Sequence, residues 1–338
     1  MASRLSFFLY NSVPDQELLD AAANGSLSQP STLNAQVDRL LTKEPYLQRF
    51  VRHTLSPWLH LDGDLDSPGE IKNENGSLSM KDVAQQQYLL LYDLVINDRN
   101  ISEIFYGSEL YMNKSIANFL GVDSSSFGSA LQRVPASVSE GLEASYFTSL
   151  HFANTASASS DPLKTMVTSR GKVVAKNFLC ESIPVNELDP AAVAEVLGPE
   201  APFLSQIEVG NIRRNHVSCM GCHKEIDKMG MGLEFVDNFG RLRTEYPDGK
   251  KIEINFDMKY SETPRATDLT SFLKSISKDE RLHSCFIKTL VSKVGPVYLE
   301  ESNPCASQIY RLNSKQGIRS YIKGIATSKL FVLARRGQ

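Results

Sequence analysis

The most constraining feature of the sequence is the run Cys219-Met220-Gly221-Cys222-His223, in which a histidine directly follows two cysteines three positions apart. This run has the form Cys-x-x-Cys-His, which is the attachment signature of c-type haem. Each sulfur can bond to one vinyl group on one edge of the porphyrin, and the adjacent histidine can reach the iron. The motif therefore predicts one covalently bound haem c, with Cys219 and Cys222 as attachment residues and His223 as the proximal iron ligand.

Two other chemistries use cysteines at this spacing. Structural zinc needs four ligands, usually supplied as two pairs, and the sequence has no second Cys-x-x-Cys run and no His-x-x-x-His run. A thioredoxin-like thiol pair needs βαβ surroundings, which the flanking sequence does not indicate. The sequence therefore favours haem attachment over zinc binding and over a redox thiol pair.

Composition narrows the class of protein. The chain has 338 residues, of which 41% are hydrophobic and 22% charged, which is typical of globular proteins with two or three packed units. Its net charge of -3 supplies no basic field, so we expect no nucleic-acid partner. No apolar run reaches the roughly 20 residues that a membrane-spanning helix needs, so we expect no transmembrane segment in this chain.

Helical periodicity dominates the chain and predicts a mainly α fold. We predict a helical domain over 1–125, a linker and helical segment leading to the haem motif over 126–246, and a C-terminal helical domain over 247–338 that completes a cytochrome-c-like haem region. The stretch 62–77 is polar and lacks periodicity, which predicts a loop. Alternating residues around a Pro-Asp-Gly turn predict one small β-hairpin over 241–256.

The segment CMGCHKEIDKMGMGLEFVDNFGRLR, residues 219–243, resembles the pattern Cys-x-x-Cys-His, Ile-Asp-Pro, Gly-Phe, Leu-Glu, Phe-Asp, Gly-Arg-x-Arg. This pattern belongs to the planctomycete-type multidomain c-type cytochromes, which are built from several domains of unknown function. Two positions depart from it, since Lys228 replaces the proline and Met231 the phenylalanine. The resemblance extends over most of the chain, in residues 2–27, 108–122, 159–180, 285–295 and 328–337.

Haem c is attached outside the cytoplasm, and the cysteines outside the motif suit an oxidising compartment. We therefore expect a protein of the bacterial cell envelope, either periplasmic or on the cell surface. Members carry further sequence before the helix that opens this chain, so we expect its N-terminus to be incomplete and the signal peptide to lie upstream. The first functional hypothesis is an electron carrier that docks a redox partner or other subunits of an envelope complex. The alternatives are a peroxidase-like or oxygen-activating haem enzyme with an open distal site, and a structural or assembly subunit.

The distal iron ligand is the main open question at the site. Met258 is the leading candidate, because it is well separated from His223 on the C-terminal side. Met229 and Met231 follow His223 closely, and we interpret them as packing at the haem edge. His283 is far enough away to return but is expected in a buried helix, and an iron without a second protein ligand is the remaining alternative.

Three other polar residues lie near the motif. Arg241 and Arg243 are candidates for contacts with the haem propionates, because a guanidinium fork fits a carboxylate. The alternative for both is a solvated pair on a strand. His216 precedes the motif by three residues, and we expect it to hydrogen-bond locally.

The cysteines outside the motif are Cys180, Cys285 and Cys305, which allow at most one disulfide. Cys285 lies in one predicted helix and Cys305 at the start of the next, so an antiparallel pair of helices could bring them together. An oxidising envelope favours this bridge, and Cys180 would then be a single buried thiol. The alternative is two buried free thiols at Cys285 and Cys305.

Overall fold

In the computed structural model the chain forms two compact units, each assembled from separated stretches of sequence. The structure describes residues 1–138, 145–156, 164–183, 190–293, 316–329 and 331. Unit 1 comprises Met1–Ser67, Tyr88–Glu103 and His283–Gln338, and unit 2 comprises Pro68–Gln87 and Ile104–Leu282. These units do not follow the three consecutive domains predicted from the sequence, because segments distant along the chain pack together.

The fold is mainly α, which confirms the predicted class. The α-helices of the described residues are α1 (Ala2–Tyr10), α2 (Gln16–Ala23), α3 (Pro30–Thr42), α4 (Glu44–Phe50), α5 (Met80–Ile96), α6 (Lys114–Leu120), α7 (Leu150–Thr155), α8 (Val167–Val173), α9 (Pro190–Leu197), α10 (Gln206–Asn215), α11 (Met220–Met231), α12 (Leu269–Ser277), α13 (Arg281–Ser292) and α14 (Ile318–Ala326). None of the helices described is both long and apolar enough to cross a membrane.

The core of unit 1 is rich in aromatic rings. The Phe8 ring of α1 contacts Phe50 at the end of α4 edge-on, with ring centroids 6.3 Å apart, and Phe331 at 5.6 Å. The indole of Trp58 packs at 5.3 Å against Phe286 of α13. These large apolar groups contribute much of the burial that holds the helices of unit 1 together.

Asp15 joins three helices of unit 1. Its carboxylate caps α2 by accepting the backbone N–H of Leu18 at 3.1 Å. Arg39 of α3 donates to both carboxylate oxygens at 2.7 and 2.9 Å, and the Tyr46 hydroxyl of α4 donates at 3.1 Å. The hydrogen bonds from Arg39, with smaller contributions from Leu18 and Tyr46, hold the pKa of Asp15 well below its usual range. The ionised carboxylate is therefore part of the packing of α2, α3 and α4.

Unit 2 contains strands that the sequence did not predict. In the described part of the chain β1 (Glu70–Asn73) pairs with β2 (Gly76–Ser79), β3 (Glu109–Met112) with β4 (Gln132–Pro135), and β5 (Phe256–Asp257) with β6 (Arg265–Ala266), all antiparallel.

The β1–β2 hairpin corrects the loop predicted over 62–77. Ile71 and Leu78 are opposite each other in the register and are both buried in the core of unit 2. Each strand has only four residues, which is too short for alternation to stand out in the sequence. The turn ends at Gly76, whose φ of 128° lies in a region that side-chain-bearing residues rarely adopt.

The turn predicted after residue 246 is present. The Tyr246 N–H donates to the Lys250 carbonyl at 2.8 Å, and Gly249 has a φ of 81°. The flanking runs form isolated bridges, such as Glu245 with Lys251, instead of the regular ladder expected of a hairpin. The predicted hairpin is therefore correct in its turn but wrong in the extent of its pairing.

Helix α11, which carries the cysteine motif, packs closely against α8 and α10. The approach to α8 depends on two glycines, Gly171 and Gly230. A Cβ added at Gly171 would lie 2.0 Å from the Ile226 carbonyl oxygen, and one at Gly230 would meet the backbone of Val167. Because real Cβ atoms do not approach oxygen so closely, side chains at these two positions would push the helices apart. The motif helix is thereby held by main-chain contact.

Candidate cofactor site

Cys219, Cys222 and His223 lie on one face of α11. Cys219 caps the helix N-terminus with φ and ψ of -109° and -29°, and its carbonyl accepts the His223 N–H at 3.0 Å. Residues three and four positions apart share one side of a helix, so the two sulfurs and the imidazole project together. Neither cysteine of the motif forms a disulfide, Cys219 is buried, and Cys222 is half-buried. This is the arrangement that double thioether attachment beside a histidine ligand needs.

The turn between α10 and α11 is organised by His216. Its ring Nδ1 accepts the Ser218 N–H at 3.3 Å, and its carbonyl accepts the N–H groups of Cys219 and Met220 at 3.0 and 2.8 Å. The prediction that His216 hydrogen-bonds locally is therefore confirmed. This residue fixes the entry into the motif helix and leaves His223 as the histidine that projects from the face with the thiols.

Two exposed apolar side chains lie near Cys219 in sequence. Val217 is 81% exposed and Met220 is 38% exposed, and they flank Cys219 in sequence. Exposed large apolar side chains around a binding motif are typical of a surface that an apolar partner covers. Two thiols followed by a histidine, with exposed apolar side chains beside them in sequence, are a donor set that fits covalent haem attachment.

A buried carboxylate holds the His223 ring. His223 Nδ1 lies 2.9 Å from Asp227 Oδ2, one helical turn further on, and Asp227 is fully buried. The Thr168 hydroxyl of α8 donates to Asp227 Oδ1 at 2.8 Å, and Arg213 of α10 donates to the Thr168 oxygen at 3.3 Å. This role of Asp227 was not predicted from the sequence, although an acid four residues after a histidine on a helix is a recognisable signal.

Arg241 and Arg243, the candidates for propionate contacts, already bind carboxylates of the protein. Arg241 donates to Asp237 at 2.8 Å and pairs with Glu74. Arg243 donates to the Glu234 carbonyl at 2.8 Å and lies 3.2 Å from the Glu234 carboxylate. Both pairs lie beyond the C-terminal end of α11, whereas His223 is in its first half. The propionate role stays a prediction, and the observed pairing argues for a structural role instead.

Arg170 of α8 forms a buried anchor that sequence reasoning missed. It is fully buried and donates to three main-chain carbonyls, those of Leu233 at 2.8 Å, Val236 at 2.5 Å and Asp237 at 2.9 Å. Burial lowers the pKa of its guanidinium to about 10. Arg170 therefore ties the segment after α11 to α8.

Glu234 completes this anchor as a second fully buried charge. It accepts hydrogen bonds from Thr165 at 2.5 Å, from the Tyr246 hydroxyl at 2.9 Å and from Arg243 at 3.2 Å, and one of its oxygens lies 3.9 Å from Arg170. Glu234 of the Leu-Glu element and Arg243 of the Gly-Arg-x-Arg element therefore belong to one buried ion network.

The methionine candidates for the distal ligand differ in position. Met229 and Met231 lie on the same helix as His223, and the Met231 sulfur faces α10, 4.0 Å from an Arg214 nitrogen. A ligand on the opposite side of a porphyrin cannot come from the helix that supplies the proximal histidine, so neither residue fits that role. Met258 is buried just after β5, and its backbone N–H donates to Pro264 at 2.7 Å. Its role as an iron ligand stays a prediction.

His283 has a partner of its own in unit 1. Its Nδ1 lies 2.8 Å from the Tyr321 hydroxyl of α14, and burial lowers the pKa of the imidazole. The expectation that this histidine lies in a buried helix is consistent with its place in α13. This hydrogen bond gives His283 a structural function within unit 1.

The remaining cysteines differ from the expected pattern. Cys180 and Cys285 are both disulfide-bonded, whereas Cys180 was expected to be a single thiol. Cys305 lies outside the described residues. The bonded state of Cys180 argues against the predicted Cys285–Cys305 bridge. That bridge would leave Cys180 only the two motif cysteines as partners, and neither of these is disulfide-bonded.

Comparison with known families gives two matches. Residues 1–122 match the family PSD4, described as a protein of unknown function (DUF1592). Residues 149–246, which contain the cysteine motif, match the family PSCyt3, described as a protein of unknown function (DUF1588). The two matches fit the multidomain cytochrome-like proteins that the sequence resembles. No curated protein and no solved structure matches the chain.

Proposed function

We propose that this chain is a c-type cytochrome that carries one covalently bound haem and transfers electrons in the bacterial cell envelope. The observation that carries the proposal is the shared face of α11, where neither Cys219 nor Cys222 is disulfide-bonded and Asp227 holds the ring of His223. A match to a PSCyt3 domain over the same residues supports it. Haem, when bound, would supply one-electron Fe(III)/Fe(II) chemistry.

The chain's residues have separate tasks in this proposal. The thiols of Cys219 and Cys222 would hold the group as two thioethers, each formed by addition of S–H across one vinyl double bond. Such an addition needs thiols that are not in a disulfide and no oxidant, and neither cysteine is disulfide-bonded. His223 would offer Nε2 as the iron ligand, because its Nδ1 is hydrogen-bonded to Asp227.

The zinc alternative is weaker than haem. Structural zinc needs four ligands in tetrahedral geometry, and the described parts of the chain contain no group of three or more His, Cys, Asp or Glu residues arranged to hold a metal ion. The haem motif, in contrast, is complete with the two cysteines and His223 and needs no further cluster of ligands.

The proposal also covers where the chain acts and which proteins it contacts. We place the chain in the periplasm or on the cell surface, because haem c is attached outside the cytoplasm and disulfides are stable there. Cys180 and Cys285 are disulfide-bonded, which suits that compartment. The partner would be a redox protein or other subunits of a larger envelope complex.

The test is expression of the chain behind a secretion signal in a host with haem-attachment machinery. We expect the denatured protein to keep a haem stain on a gel and to gain the mass of one haem. The Cys222→Ser variant should lose one thioether bond, whereas Lys224→Ala, an exposed neighbour on the same helix, should attach haem normally. Complete loss of haem from the wild-type chain in acid-acetone would refute the proposal.

The same protein distinguishes the electron carrier from the two alternatives. A low-spin visible spectrum that cyanide and carbon monoxide leave unchanged supports a carrier with two protein ligands. A high-spin spectrum that changes on adding either ligand supports an open, peroxidase-like site. Purification only as part of a stable complex, with haem that cannot be reduced, would favour a structural subunit.

A further inference from the structure

We infer that Asp227 is a positioning residue that fixes the tautomer of His223 and, through it, lowers the reduction potential of the site. The inference rests on a chain of polar contacts between side chains of α11, α8 and α10. His223 Nδ1 lies 2.9 Å from Asp227 Oδ2, and Asp227 Oδ1 lies 2.8 Å from the Thr168 hydroxyl. The part that concerns the potential rests on the proposed haem function, whereas the tautomer does not.

The direction of each hydrogen bond follows from the donors available. The guanidinium of Arg213 can only donate, so the Thr168 oxygen accepts from it at 3.3 Å. The Thr168 hydroxyl hydrogen is then directed to Asp227 Oδ1, which accepts it. Asp227 Oδ1 is therefore an acceptor. The proton shared between Oδ2 and the ring belongs on Nδ1, because a carboxyl group is a much stronger acid than an imidazole N–H or an imidazolium. His223 is thus the donor from Nδ1 and Asp227 Oδ2 the acceptor.

With these hydrogen-bond directions, the proton of the neutral His223 ring is on Nδ1 and the lone pair is on Nε2. The His223 side chain is held in one orientation by a carboxylate that is fully buried, and among the described residues Nε2 has no hydrogen-bond partner. A histidine that binds iron through Nε2 needs this tautomer, and the partner of the other ring nitrogen sets it. The chain Arg213–Thr168–Asp227 thus prepares His223 as a ligand before any cofactor binds.

The same hydrogen bond has an electronic consequence. A carboxylate that accepts Nδ1–H raises the basicity of the imidazole, and a more basic axial ligand stabilises Fe(III) over Fe(II). Asp227 is fully buried, so little water screens its interaction with His223. The wild-type protein should therefore be harder to reduce than a variant with a neutral group at this position.

The first experiment uses the haem-free chain with nitrogen-15 histidine. At a pH where the His223 ring is neutral, nuclear magnetic resonance should place the ring proton on Nδ1, and the His223→Gln variant identifies the signal. A proton on Nε2 overturns the inference. Because no haem is involved, this outcome does not depend on the proposed function.

The second experiment is potentiometry on the haem-loaded protein. Asp227→Asn should shift the reduction equilibrium about tenfold toward Fe(II), which is about 59 mV for one electron. Glu225→Gln is the matched control, because it removes the same charge from α11 but its carboxylate pairs with Lys228 at 3.1 Å. Asp227→Glu, which keeps a carboxylate, should remain closer to the wild type than Asp227→Asn.

The outcomes separate the inference from the proposed function. Equal potentials for Asp227→Asn and Glu225→Gln overturn the role of Asp227 while leaving haem attachment intact. Absence of covalent haem in the wild type refutes the proposed function, and the tautomer in the haem-free chain then still tests the inference. Should Asp227→Asn fail to fold, the tautomer of the wild-type ring decides.

Discussion

Gly230 in α11 lies against the main chain of Val167 in α8, and a Cβ added at Gly230 would be 1.8 Å from the Val167 carbonyl oxygen. The obstacle is backbone, which cannot rotate away as a side chain can. We expect Gly230→Ala to lower the free energy of unfolding by about 3 kcal/mol or more, since the helices must separate. Urea denaturation measures the change.

Gly221 provides the matched control on the same helix. It lies between the two cysteines, and an added Cβ there would meet no atom within 4 Å. Gly221→Ala should leave stability unchanged or raise it by up to about 1 kcal/mol, because alanine favours a helix. Equal unfolding midpoints for the Gly221 and Gly230 variants would contradict the close packing of α8 and α11.

The grouping of the two thiols and the imidazole on one face of α11 could be predicted from the sequence, because it depends only on local spacing. The spacing of Cys219, Cys222 and His223 lies within one helical turn, so the chemistry and the geometry follow from the same five residues. His216 and the turn before Lys250 were predictable for the same reason, since their partners are two to four residues away.

The contacts that hold α11 and the segment after it in place could not be predicted from the sequence, because they depend on tertiary packing. Thr168 reaches Asp227 across 59 positions, and Arg170 reaches Leu233 across 63. A buried arginine or glutamate looks like a solvated surface charge in the sequence alone, since such residues are rarely buried unless paired. The pairing of Arg243 with the buried Glu234 is a contact of this kind.

Arg170 allows a direct test of the buried network. Arg170→Met removes three hydrogen bonds to main-chain carbonyls and leaves Glu234 buried without its nearest cation on α8. We expect a loss of about 3–5 kcal/mol in the free energy of unfolding, because three main-chain carbonyls lose their donor at about 1–3 kcal/mol each, while Glu234 keeps Arg243 as a cation. Lys172→Met, an exposed position on the same helix, should change stability by less than about 0.5 kcal/mol. Similar losses in both variants would refute the anchoring role.

The pairing of Asp15 with Arg39 predicts a pH dependence of stability. The pKa of Asp15 is lowered in the folded protein, chiefly by its hydrogen bonds from Arg39. Its contribution is therefore fully present above the pKa of the unfolded chain, about 3.9, and is lost as pH falls toward the lower pKa of the folded state. The unfolding free energies of wild type and Asp15→Asn should differ most at neutral pH and converge below about pH 4.

Asp20→Asn is the control for Asp15, because Asp20 is exposed on the same helix. Its effect on the unfolding free energy should be small at neutral pH. Chemical denaturation of the three proteins between pH 7 and pH 3 provides the comparison. A constant difference between wild type and Asp15→Asn over this range would show that the carboxylate charge does not stabilise unit 1.

The cysteines of the haem-free chain should divide into two chemical classes. Cys219 and Cys222 are not in disulfides, whereas Cys180 and Cys285 are disulfide-bonded. Alkylation after unfolding without reductant should therefore label Cys219 and Cys222 and leave Cys180 and Cys285 unmodified until a reductant is added. Mass spectrometry of the digested protein reads each site separately. A peptide that links Cys285 to Cys305, together with an alkylated Cys180, would restore the pairing predicted from sequence and contradict the bonded state of Cys180.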